Sequence, residues 1–306
     1  KHDRTHVRKA IIQPEAVAKA IGGAKFSDDF QFEGMLYARV LRAGTPSGIL
    51  RELDVSAATQ LEGVRAVLTA ADLKHERLHG IYSKDWPILV GIGERVRYVG
   101  DAMAIVAADT QQIAEEAITL IKMVIEPRPV VSNPMQAAEP DAEKVHEKGN
   151  LLKKIKVGKG ELEAGFAQSD VIVEHTFFTP FMEHLFMEPE CTIAVPREDG
   201  GMDLYEGSQI PYEDRRQVAE ALGMATELVR VRGQKTGGAF GGKEDIAGQI
   251  HAALMAQATG RPVKLLFTRR ESMMVHPKRH ATWTKLKLGA KKNGELLAAK
   301  TEIYGD

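Results

Sequence analysis

Between a predicted strand and a predicted helix, the octet Gly237-Gly238-Ala239-Phe240-Gly241-Gly242-Lys243-Glu244 sets four glycines around one aromatic ring. Glycine reaches positive φ and lets backbone approach a ligand closely, so this density predicts a loop folded around something. Leu228 to Arg232 reads as the strand. After the loop, Ile246, Ile250, Leu254 and Ala258 recur every four residues, as along one helix face. Such an order offers backbone N–H groups and a positive helix end to an anion. Three readings compete. Gly237, Gly242 and Lys243 fit the spacing of a phosphate loop, but Glu244 stands where a Ser or Thr hydroxyl would bind Mg²⁺. Phe240 also places a ring where phosphates would be wrapped. The second reading is a turn with a packing role alone. The third is a cofactor loop whose amides hold an organic anion while Phe240 and Glu244 face a substrate pocket.

A chain of 306 residues can bury substantial cores and most simply makes two domains. Its 41 basic and 42 acidic side chains nearly cancel, which argues against bulk attraction to nucleic acid or an anionic membrane. The lone Cys191 excludes an intrachain disulfide framework and a cysteine-rich zinc or iron–sulfur site, and fits a reducing, cytoplasmic setting. No apolar run approaches bilayer-spanning length, and the basic start lacks the apolar core of a signal peptide.

Along the chain, residues 1–25 read as a polar entry arm and residues 26–130 as a compact α/β unit. Met35 to Leu41, Val64 to Leu68, Ala102 to Ala107 and Lys122 to Ile125 are strand candidates, with a short helix over Ser56 to Leu61. Asp109 is the expected cap of a helix whose buried face carries Ile113, Ala117, Ile118 and Ile121. Residues 131–160, rich in proline and charge, read as a surface linker. In residues 161–306, Val171 to Phe178, Cys191 to Val195 and Val263 to Phe267 are strand candidates. Gly200-Gly201 suits a hairpin turn, and a helix runs from Pro211 to Gly223.

The octet resembles the Gly-Gly-Gly-Phe-Gly-Gly-Lys-Glu signature of the molybdenum hydroxylases, the xanthine dehydrogenase and aldehyde oxidase family, with Ala239 at the third glycine. Gly34 to Arg42 is similar to the first strand of that family's hammerhead domain. Gly63 to Leu73 and Val99 to Thr110 resemble two further segments in the expected order. So do Glu183-His184 through Glu188-Pro189-Glu190, and then Gly207-Ser208-Gln209, ahead of the glycine loop. The resemblance covers most of the chain. It implies an α+β fold, with a hammerhead-like α/β domain followed by the first part of a mixed α+β molybdenum-cofactor-binding domain. The implied function is that of the N-terminal portion of a molybdenum-binding subunit. Such a subunit oxidatively hydroxylates a purine, another N-heterocycle or an aldehyde, with water as oxygen source.

By the same resemblance the metal is held by a pterin dithiolene and by no protein side chain, with the cytosine dinucleotide form of molybdopterin among the expected forms. FAD and [2Fe-2S] centres are expected on partner subunits, as is the rest of the molybdenum-binding subunit. Gln209 matches a glutamine beside the apical oxygen, where its amide could stabilise developing negative charge. Gly238, Ala239, Phe240 and Gly241 match backbone that contacts the cofactor, and the methyl of Ala239 restricts φ there. Phe240 also shapes the pocket, and Glu244 matches a glutamate that binds the substrate. An exposed loop amide, a core Phe and a Glu in a helix first turn are the plainer readings of Gln209, Phe240 and Glu244.

Glu183, His184 and Glu188 invite a metal reading, but their spacing and the apolar residues between them favour structural roles. His276 to His280, with Arg269 and Arg270, form a basic cluster expected on a solvated face. Met182, Met187, Met202, Met273 and Met274 are expected in packing. The family's catalytic glutamate lies in a motif that these residues lack, so the chain is expected to be inactive alone. A non-catalytic scaffold of the same fold is the alternative.

Overall fold

The computed structural model describes residues 13–306, so the first half of the expected entry arm lies outside the described residues. Strands β1 (Leu36–Arg42), β2 (Gly48–Asp54), β3 (Val64–Thr69) and β4 (Ala102–Ala108) come first. Helix α1 (Gln111–Leu120) and β5 (Lys122–Pro127) follow. β4 reads Ala-Met-Ala-Ile-Val-Ala-Ala, with every residue buried, and it pairs antiparallel with β1 on one side and β3 on the other. A continuous apolar run of this length is what a strand covered on both faces requires. α1 covers one of those faces, where Ala114 and Ala117 disappear against the sheet. Its cap is Thr110, not Asp109. Thr110 Oγ1 accepts the N–H of Ile113 at 3.2 Å, while the Asp109 carboxylate is engaged by Arg65 and Arg261. Two arginines brought in by tertiary structure outcompete the local cap.

The linker is tied down over its first two-thirds. Asn133 caps one helical turn, Pro134–Ala137, and the Asn150 amide closes on the carbonyls of Ala137 and Glu143. Arg95 then binds Glu143, and Arg97 donates to the Val145 carbonyl. Beyond it lie β6 (Val171–Thr179), β7 (Cys191–Pro196), β8 (Met202–Glu206), α2 (Pro211–Leu222) and β9 (Val229–Gly233). Helices α3 (Gln249–Thr259) and α4 (Arg269–Val275) flank β10 (Val263–Leu266), and β11 (Thr282–Ala290) and β12 (Leu296–Gly305) follow.

One seven-stranded sheet runs through both halves of the sequence, in the order β9-β8-β7-β10-β1-β4-β3. The join is a parallel pair, with Leu36 beside Val263 and Ala38 beside Leu265. Helix α3 lies across the sheet with Ile250, Ala252, Ala253, Leu254, Met255 and Ala256 all buried in the main core. Its alanines let backbone approach the strands, and each large apolar side chain contributes about 1.5–3 kcal/mol of burial. α3 begins at Gln249 rather than Ile246. The Gln249 side chain accepts the N–H groups of Ala247 and Gly248, holding those residues in a turn instead of a helix. A smaller antiparallel sheet, β12-β11-β6, stands apart. Among the described residues, no helix is long and apolar enough to cross a membrane.

Candidate functional site

β8 and β9 run parallel, so their carboxyl ends emerge at one edge of the large sheet. β7 is antiparallel to β8 and starts at that edge. Three connections therefore meet there: residues 183–190 before β7, residues 207–210 after β8, and the glycine loop after β9. A crevice outside the carboxyl ends of strands is where α/β sheets commonly place ligands.

Gln209 ties two of these connections together. Its backbone N–H donates to the Lys243 carbonyl at 3.0 Å. Its side-chain Oε1 accepts the N–H groups of Gly241 and Lys243 at 3.2 and 3.3 Å, leaving the amide nitrogen 3.5 Å from Glu244 Oε1. Gln209, the loop backbone and Glu244 are thus brought together from positions more than thirty residues apart. Glu244 lies well ahead of α3, which excludes a first-turn interaction with that helix.

Glu188 anchors the loop from below. Its carboxylate accepts the Gly237 N–H at 2.7 Å and pairs with Lys243 Nζ at 2.8 Å. Lys243 is turned inward, its side chain 4% exposed and its ammonium 4.8 Å from the centre of the Phe186 ring. A phosphate loop would need that lysine facing its ligand, so the loop is not one. Close packing explains Gly242, where an added Cβ would sit 2.7 Å from Phe186 Cε1 and 3.0 Å from the His184 ring. Gly238 and Gly241 have φ of 96° and 94°. Ala239 does not share that backbone conformation, so its methyl fits without strain. Phe240 instead takes φ 54° and is 76% exposed. A bulky residue held in the left-handed region costs of order 1 kcal/mol, and such strain concentrates at functional sites.

The N–H groups of Gly238, Ala239 and Phe240 have no acceptor among the described residues, although their neighbours at 237, 241, 242 and 243 all do. Successive free amides in a glycine turn form a concave nest for an anionic group.

Next to the loop, Glu183, His184 and His276 each bring a possible ligand atom within 4.8 Å of the others. Lys278 Nζ, however, lies 2.7 Å from Glu183, and the buried His276 ring stands between Glu183 and Glu190 at 3.1 and 3.7 Å. An ammonium already fills the cationic role, and the cluster braces the segment behind the loop. Burial, and then the charge of His276, lower the His184 pKa. Burial alone would raise Glu183, but Lys278, the Leu185 N–H and His276 outweigh it and bring its pKa down.

The expected solvated basic face is therefore partly interior: His276 is buried, Lys278 is paired, and Arg269 donates to the Met187 carbonyl at 2.6 Å. Of the methionines expected in packing, Met202 is in the core, whereas Met182, Met187 and Met273 are exposed. Leu185 and Met187, in the 183–190 connection, and Phe240, in the glycine loop, are all exposed. Glu188 takes a structural role, as expected, while Phe186 and Lys243 act as supports that sequence reading did not assign. The signal for Lys243 was an acid and a base in segments already suspected of lying side by side.

On this α+β domain, a strand-end crevice with an amide nest and a glutamine amide offers neutral donors suited to an anionic group. Residues 145–306 match the family described as molybdopterin cofactor-binding domain, and residues 21–129 the aldehyde oxidase and xanthine dehydrogenase a/b hammerhead domain. The chain belongs to this molybdopterin-binding family. It is 40% identical to a protein of Bacillus subtilis (strain 168) named as a probable xanthine dehydrogenase subunit, over 96% of this chain and 39% of that protein. It is 36% identical to the nicotinate dehydrogenase large molybdopterin subunit of Eubacterium barkeri, over 97% of this chain and 70% of that one. The aldehyde oxidoreductase of Desulfovibrio gigas superposes with a TM-score of 0.85 at 27% identity, covering 95% of this chain and 33% of its own. The chain thus spans well under half of the first of these relatives. The amide nest fits an anionic organic group of the kind the family binds.

Proposed function

We propose that the crevice is the molybdopterin side of a hydroxylase site acting on an N-heterocycle, a purine or a pyridine carboxylate, with an aldehyde as the other class the fold accommodates. Support comes from the convergence of Gln209, the amide nest and Glu244, and from relatives named for xanthine and nicotinate. In this reading the N–H groups of Gly238, Ala239 and Phe240 hold the cofactor, in its dinucleotide or shorter form. When bound, that group supplies the oxygen-transfer and two-electron chemistry.

The chain's own residues do the rest. Gln209, fixed through its carbonyl oxygen, turns one amide N–H toward Glu244 and keeps the other to face developing negative charge. The exposed Phe240 ring offers a stacking wall for a planar substrate, and Glu244 accepts a ring N–H. Electrons leave through iron–sulfur and FAD partners. Further segments of the molybdenum-binding subunit complete the site. The backbone at Ala239 needs no glycine, which removes one physical reason for reading the chain as a non-catalytic scaffold.

The test uses the full-length polypeptide with its partners. Molybdenum and pterin are measured, together with turnover of a purine, nicotinate and an aldehyde. Stoichiometric metal with heterocycle hydroxylation is expected, and a complex lacking both overturns the proposal. Glu244→Gln should raise KM for the heterocycle more than for the aldehyde. Unchanged heterocycle kinetics would remove Glu244 from the substrate site.

A further inference from the structure

Buried carboxyls need a cation, a donor or a proton. Glu206 ends β8, Asp214 sits in the first turn of α2, and Gly207-Ser208-Gln209-Ile210 runs between them. Glu206 is 1% and Asp214 0% exposed, so no group from outside can reach either. Among the described residues neither is paired with a basic side chain. Thr192 Oγ1 donates to Glu206 Oε2 at 3.2 Å, and the Ser208 hydroxyl donates to Asp214 Oδ2. One oxygen on each acid, Glu206 Oε1 and Asp214 Oδ1, is left buried without a donor. The two carboxyls are within hydrogen-bonding reach of one another.

Ionised carboxylates only accept, and two of them side by side in a buried site repel. A single proton between the orphan oxygens satisfies both. We infer that Glu206 and Asp214 share one proton, and that this pair is a clasp positioning the 207–209 turn and, through it, the Gln209 amide. Ser208 is the link, because its hydroxyl also accepts the Ile210 N–H at 2.9 Å. From there Gln209 reaches the glycine loop through its bonds to Lys243 and Gly241. Glu206 and Asp214 touch neither cofactor nor substrate in this arrangement, so they are positioning residues.

The charged groups facing the pair agree with it. Asp245, from the end of the glycine loop, and Glu213, from α2, are both acidic; Thr192 of β7 and Gln249 of α3 do not titrate, and their hydrogen bonds to Glu206 lower its pKa without outweighing burial. Burial, followed by the charge of Asp214, pushes the Glu206 carboxyl far above the usual carboxylate range. Burial pushes Asp214 up to about 7 in spite of the Ser208 hydroxyl. Loss of the shared proton would leave adjacent charges in an apolar interior and force the turn away from α2.

The inference rests on the proposed role of Gln209 only for its effect on turnover, since the clasp itself is read without turnover. In the full-length protein, amide hydrogen exchange at residues 207–210, 241 and 243 is followed across about pH 6 to 8 and corrected for intrinsic rates. Opening linked to loss of one proton should grow by up to about tenfold per pH unit. Glu206→Gln supplies a fixed N–H donor to Asp214, so it should keep the low-pH protection of the wild type with a flat profile. Asp214→Asn, with its own donor toward Glu206, should flatten the profile as well. An infrared band of a protonated carboxyl at neutral pH should be present in wild type and absent in both variants. A flat wild-type profile, an absent band, or variants that retain the wild-type pH dependence would overturn the clasp. If the band and exchange behave as expected but no hydroxylation is found, the clasp stands and the proposed function falls.

Discussion

Replacing Glu188 by Ala removes the acceptor that joins the glycine loop to the segment beneath it. Two losses follow from the geometry. Lys243, with its side chain 4% exposed, becomes a buried ammonium without its carboxylate, and the Gly237 N–H loses its partner at 2.7 Å. Breaking a buried ion pair from one side typically costs about 3–5 kcal/mol, because the surviving charge stays desolvated. An orphaned amide costs about 1–3 kcal/mol by itself. The two overlap at one carboxylate, so about 3–5 kcal/mol is expected for the pair of losses. As a local opening equilibrium this is roughly a hundredfold to several thousandfold, which amide exchange over residues 234–244 of the full-length protein can read. Glu188→Leu combined with Lys243→Met removes both charges and leaves only the amide unpaired. The double variant should therefore cost about 1–3 kcal/mol, less than the single one. A single variant costing under about 1 kcal/mol, or a double variant as costly as the single, would refute the role given to the buried charge.

Two substitutions in the loop should move in a way that glycine counting alone does not anticipate. Ala239→Gly, which restores the family's third glycine, should destabilise the loop by about 0.5–1 kcal/mol, because Ala239 gains nothing from extra backbone freedom. Gly242→Ala should cost about 1–3 kcal/mol through the contact of its Cβ with Phe186 and His184, with both effects measured by urea unfolding or loop exchange. Acid should act through His251 and His79. Burial lowers their pKa values to about 3 and about 4, so the native state stays neutral while the unfolded chain takes up protons below the usual histidine range. Stability should thus be intact above about pH 6.5 and fall by about 1.4 kcal/mol per pH unit for each ring, down to about pH 4 for His79 and about pH 3 for His251. His251→Gln should remove one such contribution, and an unchanged acid slope would contradict it.

The octet and its neighbouring strand were legible in the sequence because ordered local segments carry them, whereas the contact between Gln209 and Glu244 emerged only in the fold. What was not legible came from competition between local and distant partners. Asp109 was a sound cap until Arg65 and Arg261 took its carboxylate, and Thr110 replaced it. The four-residue periodicity ran through Ile246, yet the Gln249 side chain claimed the amides that would have extended α3. Apolar character did not distinguish the buried Met202 from the exposed Met187, nor basic composition the buried His276 from a solvated face. Burial is a property of the assembled sheet edge, which no single segment encodes.

The parallel seam between β1 and β10 has a mechanical meaning. Hydrogen-bonded strands transmit rotation as a rigid plate, so the hammerhead segment and the cofactor segment have no hinge along that line. Opening of the crevice must come from its rim, the 183–190 and 237–244 connections, while the floor stays fixed. An exchange of the N-terminal segment between relatives would have to carry a β1 whose side chains mesh with the recipient's β10. Cut at the linker instead, each piece would be left with a raw, apolar sheet edge.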